Sequence, residues 1–252
     1  VKSDTLLSIS EPDAVTKMDT LQALKVNPLF EDVTGVAGID FTHQQSAFVD
    51  FKISPLLPYQ LSKTGPCIAK ADVNGDGLED VFIGASAGQE SVLYLQTETG
   101  RFTRSLSQPW NNDKNFTNTD ALFFDADKDG DADLYLVSGG ADFFLNNKNY
   151  QDRFFENDGH GNFSSAPNAL PAETVSGGCA RTADYNKDGL HDLFVVGKSS
   201  PGIFPIAPES FMLTNVSNHG EIKFINDAAQ KTQRLAYPGL VSDEDLKPPT
   251  QR

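Results

Sequence analysis

The stretch DADKDGDADLYL, residues 125–136, places an acidic run directly beside an apolar one. Five aspartates stand at alternate positions, so a β-strand would carry all of them on one face, where they repel each other. A helix is disfavoured as well, because Asp is a poor helix former and a glycine interrupts the run. The stretch therefore predicts either a solvated acidic loop or a loop that wraps a hard cation with carboxylate oxygens.

The same spacing occurs three times in the chain. DVNGDGLEDVFIG begins at Asp72 and DYNKDGLHDLFVVG begins at Asp184. Counted from the first Asp of each copy, position 3 is Asn or Asp, position 5 is Asp, position 6 is Gly and position 9 is Asp, and an apolar run follows. Three copies of one spacing disfavour an acidic tail and indicate a repeat protein.

The spacing suits one cation in each loop. Side chains at positions 1, 3, 5 and 9 can converge on an ion, the carbonyl of position 7 adds an oxygen, and glycine at position 6 permits the sharp turn. A set of oxygen ligands with several carboxylates favours Ca²⁺. The predicted ligands of about three Ca²⁺ sites are Asp72, Asn74, Asp76, Leu78 and Asp80; Asp125, Asp127, Asp129, Asp131 and Asp133; and Asp184, Asn186, Asp188, Leu190 and Asp192. At position 7, Asp131 would use its carbonyl, and its side chain would point to solvent.

An EF-hand shares the first half of this pattern but differs in the second. It needs Glu at position 12, where this chain has Ile83, Leu136 and Val195. It also needs flanking helices, whereas β-branched and aromatic residues follow each copy. The loops are therefore predicted to connect strands.

Each unit reads as strand, loop, strand, connection, strand, turn, strand. Four strands in a period of this length are typical of a β-propeller blade. The predicted fold is all-β, a propeller or partial propeller of four-stranded blades with about three full blades. The predicted segments are a linker or short helix over 1–26, blades over 27–236 with repeats at about 62–106, 116–168 and 174–228, and a tail or truncated fourth blade over 237–252. A strand around Phe30 is expected to be the outer strand of one blade.

Charge, hydropathy and cysteine content limit the possible functions. The net charge of −15 argues against nucleic-acid binding, which needs a basic surface. No apolar run is long enough to span a membrane. Cys67 and Cys179 occupy equivalent repeat positions, five residues before the first Asp, and two buried free thiols are favoured over a disulfide.

Two further features carry alternative interpretations. GASAG, residues 84–88, matches the G-x-S-x-G pattern of hydrolases, but a strand-like run follows instead of the required helix, so Ser86 is not expected to be catalytic. Trp110 could stack on a sugar, although a core or inter-blade position is favoured.

The three loops resemble those of the FG-GAP/VCBS repeat family, whose propellers are similar to those of integrin α chains. FEDVTGVAGIDFTH and LLPYQLSKTGPCIAKADVNGDGLEDVFIGA are also similar to phrases in bacterial secreted proteins related to cartilage acidic protein, in which an ASPIC-type domain often follows the propeller. The resemblance implies Ca²⁺ at the side chains selected above. It also implies an extracellular, cell-surface or periplasmic location, and binding in place of catalysis.

The expected function is a secreted or surface-exposed calcium-binding module that binds an extracellular protein or glycan and is not an enzyme. The expected contact surface is formed by the connections 85–90, 138–151 and 197–210. The alternative is a polysaccharide-active lyase or hydrolase on a calcium propeller. Closed propellers have four to eight blades, so either further blades come from additional sequence or from another chain, or the sheets stand as an open arc.

Overall fold

The computed structural model describes residues 29–63, 65–218 and 220–226. Within them, twelve strands form three four-stranded antiparallel sheets, each in sequential strand order. The all-β class and the partial propeller of about three blades are thus confirmed. The strands of blade 1 are β1 Cys67–Ala71, β2 Asp80–Gly84, β3 Val92–Gln96 and β4 Phe102–Arg104.

Blades 2 and 3 repeat this arrangement with longer inner strands. Blade 2 consists of β5 Asn118–Phe124, β6 Asp133–Ser138, β7 Arg153–Asn157 and β8 Phe163–Ser165. Blade 3 consists of β9 Ser176–Ala183, β10 Asp192–Ser199, β11 Phe211–Asn215 and β12 Phe224–Asn226.

The acidic loops close the first hairpin of every blade. Ala71 pairs with Asp80 in blade 1, and Phe124 pairs with Asp133 in blade 2. In blade 3 the corresponding pair is Ala183 and Asp192. The ladder therefore ends where the loop begins, and position 9 of each loop is the first residue of a strand. We refer to residues 72–80, 125–133 and 184–192 as loops 1, 2 and 3.

Blades pack face to face because alternate strand residues point to opposite sides of a sheet. Phe82 of blade 1 lies in one apolar cluster with Leu134 and Leu136 of blade 2. Tyr135, on the opposite face of blade 2, lies in a second cluster with Leu193 of blade 3. The blades thus share two continuous apolar interfaces.

Trp110 lies at the first of these interfaces. Its ring makes edge contacts with Phe82 and Phe155 at centroid distances of 5.3 and 5.4 Å, and it packs against Phe163. The predicted inter-blade position of Trp110 is confirmed, and its burial excludes a role in stacking on an exposed sugar.

The backbones of blades 2 and 3 approach closely at two glycines. Gly139 and Gly177 form an isolated parallel bridge. A Cβ atom added at Gly177 would lie 2.4 Å from Val137 Cγ1, which is closer than packed carbon atoms can approach. Only glycine fits there without moving the two blades apart.

The N-terminal part differs from the prediction. Residues 29–33 form no strand, and Phe30 is exposed, so the expected outer strand at Phe30 is wrong. A four-residue helix, Thr34–Ala37, and a 3₁₀ turn, Asp50–Lys52, are found before β1. The segment lacks the alternation of buried and exposed residues that a paired strand requires.

Residues 39–63, which we call the strap, contact all three blades. Gln44 N donates to Gln89 Oε1 of blade 1 at 2.8 Å. The Ser46 hydroxyl donates to Asp142 in the β6–β7 connection of blade 2. Ser54 Oγ accepts a hydrogen bond of 3.0 Å from the backbone N–H of Gly202, in the β10–β11 connection of blade 3.

The predicted segments 1–26 and 237–252 lie outside the described residues. Over the described ranges, no helix has the length and apolar character needed to cross a membrane.

Candidate metal loops

Loop 2 brings three predicted ligands together. One carboxylate oxygen from each of Asp125, Asp127 and Asp129 can be chosen so that all three lie within 4.8 Å of one another. The loop backbone wraps around the first of them, because Lys128 N donates to Asp125 Oδ1 at 2.7 Å and Gly130 N donates to its Oδ2 at 3.2 Å. Three carboxylates this close repel unless a cation lies among them.

The turn requires left-handed backbone at two positions. At position 6 the φ angles of Gly77, Gly130 and Gly189 are 83°, 100° and 89°, which confirms the conformational role assigned to glycine. Position 4 is left-handed as well, with φ of 65° at Lys128 and 62° at Lys187. Sequence reasoning missed position 4 because Gly, Lys and Lys share no turn signature there.

In loops 1 and 3 as well, the glycine at position 6 donates to the aspartate at position 1. Asp72 accepts from Gly75 N and Gly77 N, both at 2.8 Å. Asp184 Oδ2 accepts from Gly189 N at 2.9 Å, while Asp184 Oδ1 is buried with no hydrogen-bond partner. A buried carboxylate oxygen without a partner is costly, and a bound cation would remove that cost.

At position 3, loops 1 and 3 carry amides. Asn74 and Asn186 each donate from Nδ2 to the aspartate at position 5, at 3.0 and 2.8 Å. At position 7, the N–H groups of Leu78 and Leu190 donate to the same position-5 aspartates at 2.8 Å. Asp131 N donates to Asp129 in the same way, at 3.1 Å. The predicted ligands at positions 1 to 7 thus lie on one folded turn in each loop.

Position 9 is different, because its carboxylate is buried and already bonded. Asp133 accepts from Ala126 N at 3.2 Å and from Asn157 N at 2.9 Å. Asp80 and Asp192 accept from the equivalent amides of their own blades. This aspartate joins its loop to the third strand of the blade. The sequence selected it only as a metal ligand and gave no signal for the second role.

Burial and mutual repulsion raise several of these pKa values. Desolvation, opposed by its backbone hydrogen bonds, raises the pKa of Asp133 to about 7. Desolvation, and to a lesser extent repulsion from Asp129, raises the pKa of Asp127. The same two causes raise the pKa of Asp131 to about 6. A cation bound beside such a carboxyl would favour its ionised form and so lower its pKa.

The side chain of Asp131 does not simply point to solvent as predicted. Its Oδ1 is buried without a hydrogen-bond partner, and a Cβ atom at Gly159 would lie 3.3 Å from its Oδ2. Asp131, Asp72 and Asp158 line a cleft of about 430 Å³ between loops 1 and 2. The β7–β8 turn therefore meets the two loops, which local spacing could not show.

The donor chemistry of the loops fits Ca²⁺. Every candidate group is a carboxylate, an amide or a backbone carbonyl, and two carboxylate oxygens lack a hydrogen-bond partner. Hard oxygen donors of this kind suit Ca²⁺ better than zinc or copper.

The serine and the two cysteines considered from the sequence form neither a nucleophile elbow nor a disulfide. Ser86 is 1 % exposed and no helix follows it before β3, so the nucleophile-elbow geometry is not formed. Its hydroxyl lies 3.4 Å from His43 Nε2. Cys67 and Cys179 are free thiols, as favoured, but only Cys67 is buried.

Comparison with known families agrees with these loops. The profile of the FG-GAP-like repeat family matches residues 72–136 and 138–195. Each match begins within one loop-bearing hairpin and ends in the second strand of the next blade. Comparison with curated proteins finds no relative. Two stretches that together make up a little under half of this chain are thus similar to FG-GAP-like repeats, and both lie within its four-stranded blades.

Proposed function

We propose that this chain is a calcium-stabilised propeller module that acts outside the cytoplasm and binds an extracellular protein or glycan. The convergence of Asp125, Asp127 and Asp129 is the observation that carries the proposal. FG-GAP-like repeats often bind calcium and are typical of extracellular proteins, which supports both parts.

The role proposed for Ca²⁺ is structural. The ion would supply positive charge to carboxylates that otherwise repel, held in each blade by the residues at positions 1, 3, 5 and 9 and the carbonyl of position 7. Asp133 accepts hydrogen bonds from both loop 2 and β7. Stabilising its ionised form therefore stabilises the contact between the first hairpin and the third strand. Affinities of extracellular modules, about 10⁻⁴–10⁻³ M, would suffice for such a role.

Binding is proposed in place of catalysis. Ser86 is too deeply buried for a substrate to reach it. The connections 138–151 and 197–210 instead present exposed apolar side chains, including Phe144 and Phe204. The polysaccharide-active alternative stays a prediction, and a glycan screen with product analysis tests it, because turnover would favour the enzyme.

Thermal unfolding with Ca²⁺, chelator or Mg²⁺ tests the calcium proposal. Ca²⁺ at 100 times Kd should stabilise each site by about 2.7 kcal/mol, and each kcal/mol should raise Tm by about 2–4 °C. Asp129→Asn should reduce the Ca²⁺ response of Tm. Glu79→Gln also removes one loop carboxylate, but this residue pairs with Lys70 at the surface and should leave the response unchanged. No Ca²⁺-specific rise in the wild type would refute the proposal.

A further inference from the structure

The strap and two of the blade connections meet at one place on the molecule. Ser54 of the strap bonds to Gly202 of the β10–β11 connection. A Cβ atom at Gly202 would lie 3.8 Å from Phe144 of the β6–β7 connection, so the two connections are neighbours. These two contacts bring segments that are far apart in sequence together on one surface.

This surface is rich in exposed apolar side chains. Eight large hydrophobic residues, each between 38 and 76 % exposed, lie on the strap and on the two connections: Phe51, Leu56, Tyr59, Phe144, Leu145, Ile203, Phe204 and Ile206. Scattered exposed apolar residues are ordinary, but a concentration on adjoining segments is typical of a protein-binding surface.

A pocket opens between the strap and residues 198–208. Its walls include Leu57 and Tyr59 from the strap, Ala141 from blade 2, and Phe204 and Ile206 from blade 3. Its volume is about 180 Å³. A cavity of roughly 150 Å³ holds a benzene molecule, so this pocket is the size of one aromatic side chain.

One cation borders the pocket without a counterion. Lys198 lines it, and among the described residues no carboxylate pairs with the Lys198 amine. Lys198 as a whole is exposed, and partial desolvation lowers the pKa of its amine. An occupant with a negative charge would offset that desolvation, since the described part of the chain offers none at this position.

We propose that this pocket binds an aromatic side chain of an acidic polypeptide segment, with the ring between Tyr59 and Phe204 and an adjacent carboxylate on Lys198. This inference rests on the proposed binding function and specifies its partner as a protein. The apolar and proline-rich wall favours a peptide over a glycan, because sugar hydroxyls buried against it would lose hydrogen bonds to water without replacement. A buried aromatic anchor beside a charge is a common arrangement at binding hot spots.

Fluorescence anisotropy with three labelled pentapeptides, at saturating Ca²⁺, tests the proposal. The wild type should bind Gly-Asp-Phe-Asp-Gly at least about tenfold more tightly than Gly-Asn-Phe-Asn-Gly or Gly-Asp-Ala-Asp-Gly, as expected for one charge-assisted contact and one buried ring. Lys198→Met should abolish the preference for Asp over Asn but keep the preference for Phe. Lys70→Met, a lysine of β1 that does not line the pocket, should change neither preference.

Filling the pocket gives the second arm of the test. Ala207 lines the pocket and is exposed, so Ala207→Trp should block the ring while the variant keeps the wild-type Tm and its Ca²⁺ response. Phe204→Ala serves as a second variant that weakens the same contact without adding bulk. Binding that survives both changes would overturn the inference.

Two other outcomes separate the inference from the proposed function. A Ca²⁺-dependent Tm with no peptide binding, or with binding of a glycan that Ala207→Trp abolishes, would overturn the peptide inference and leave the calcium-stabilised module standing. Peptide binding at the pocket with no Ca²⁺ effect on Tm would support the pocket and refute the calcium proposal.

Discussion

The inter-blade interfaces and the open face of blade 3 are built from equivalent sequence positions. Phe82, Tyr135 and Phe194 each lie two residues after the position-9 aspartate of their blade. Phe82 and Tyr135 are 0 % exposed because blades 2 and 3 cover them, whereas Phe194 is 44 % exposed. One local pattern thus gives a buried core residue twice and a surface residue once.

Other equivalent positions follow the same division. At position 2 of the loops, Val73 and Ala126 are buried, and Tyr185 is exposed. Cys67 is buried, and its equivalent Cys179 is half-buried. The difference shows that burial at these positions depends on whether another blade lies against the face. Among the described residues, no blade covers the face of blade 3 that carries Phe194.

The largest expected effect compares two phenylalanines at equivalent positions. Phe82→Ala should lower the free energy of unfolding by about 3–5 kcal/mol, because it removes a ring packed on Trp110 and Phe123. Phe194→Ala should cost less than about 1 kcal/mol, since this ring is partly in water. Urea unfolding measures both, and equal losses would show that the face of blade 3 is covered in solution.

The next expected effect concerns a hydrogen bond between blades. Asn157 Nδ2 donates to Val73 O of blade 1 at 2.8 Å and to Ala132 O at 3.2 Å. Asn157→Ala should cost about 1–3 kcal/mol, because buried acceptors lose their donor. Asn162→Ala removes an exposed donor to Asp158 in the same hairpin and should cost clearly less. Similar losses in urea unfolding would contradict an interface role for Asn157.

A pH-dependent effect is expected at the interface of blades 2 and 3. Asp152 is buried, accepts from the Tyr135 hydroxyl and from Ser138 N, and burial raises its pKa to about 7. A carboxyl whose pKa is higher in the folded state destabilises the fold as pH rises from about 4 to about 7. The stability of the wild type relative to Asp152→Asn should therefore fall across this window, by about 1.4 kcal/mol for each pH unit that separates the folded and unfolded pKa values.

Denaturant unfolding of both proteins at pH values from about 4.5 to about 8 provides the measurement. Fixed Ca²⁺ concentration keeps the loop aspartates from contributing differently in the two proteins. A relative stability that rises with pH would show that Asp152 is stabilised in its ionised form, and would contradict its assignment as a buried carboxyl with a raised pKa.

The smallest expected effect is on reactivity, with little change in stability. Burial raises the pKa of Cys67 to about 12, so its thiol should resist a disulfide reagent until the chain unfolds. Cys179 lies on the open face and should react in the native state. Kinetics with Cys67→Ser and Cys179→Ser assign each phase, and equal native reaction rates would remove the contrast between the two faces.

Local patterns predicted much of the fold. The hairpins around loops 1, 2 and 3, the four strands per blade and the left-handed glycines at position 6 all follow from short local spacings. Phe30 was predicted wrongly because one aromatic residue before a small-residue turn resembles a strand, while strand formation needs a partner that this segment does not have among the described residues.

The sequence by itself determined the loop positions, the carboxylate and amide side chains within the loops and the hairpin order, because hydrogen-bonded turns and β alternation are encoded by neighbouring residues. The tertiary structure alone decided three further features. These are the course of the strap, the second role of Asp80, Asp133 and Asp192, and the burial of Phe82 but not Phe194. Each depends on surfaces brought together from distant parts of the chain, and such contacts leave no fixed spacing in the sequence.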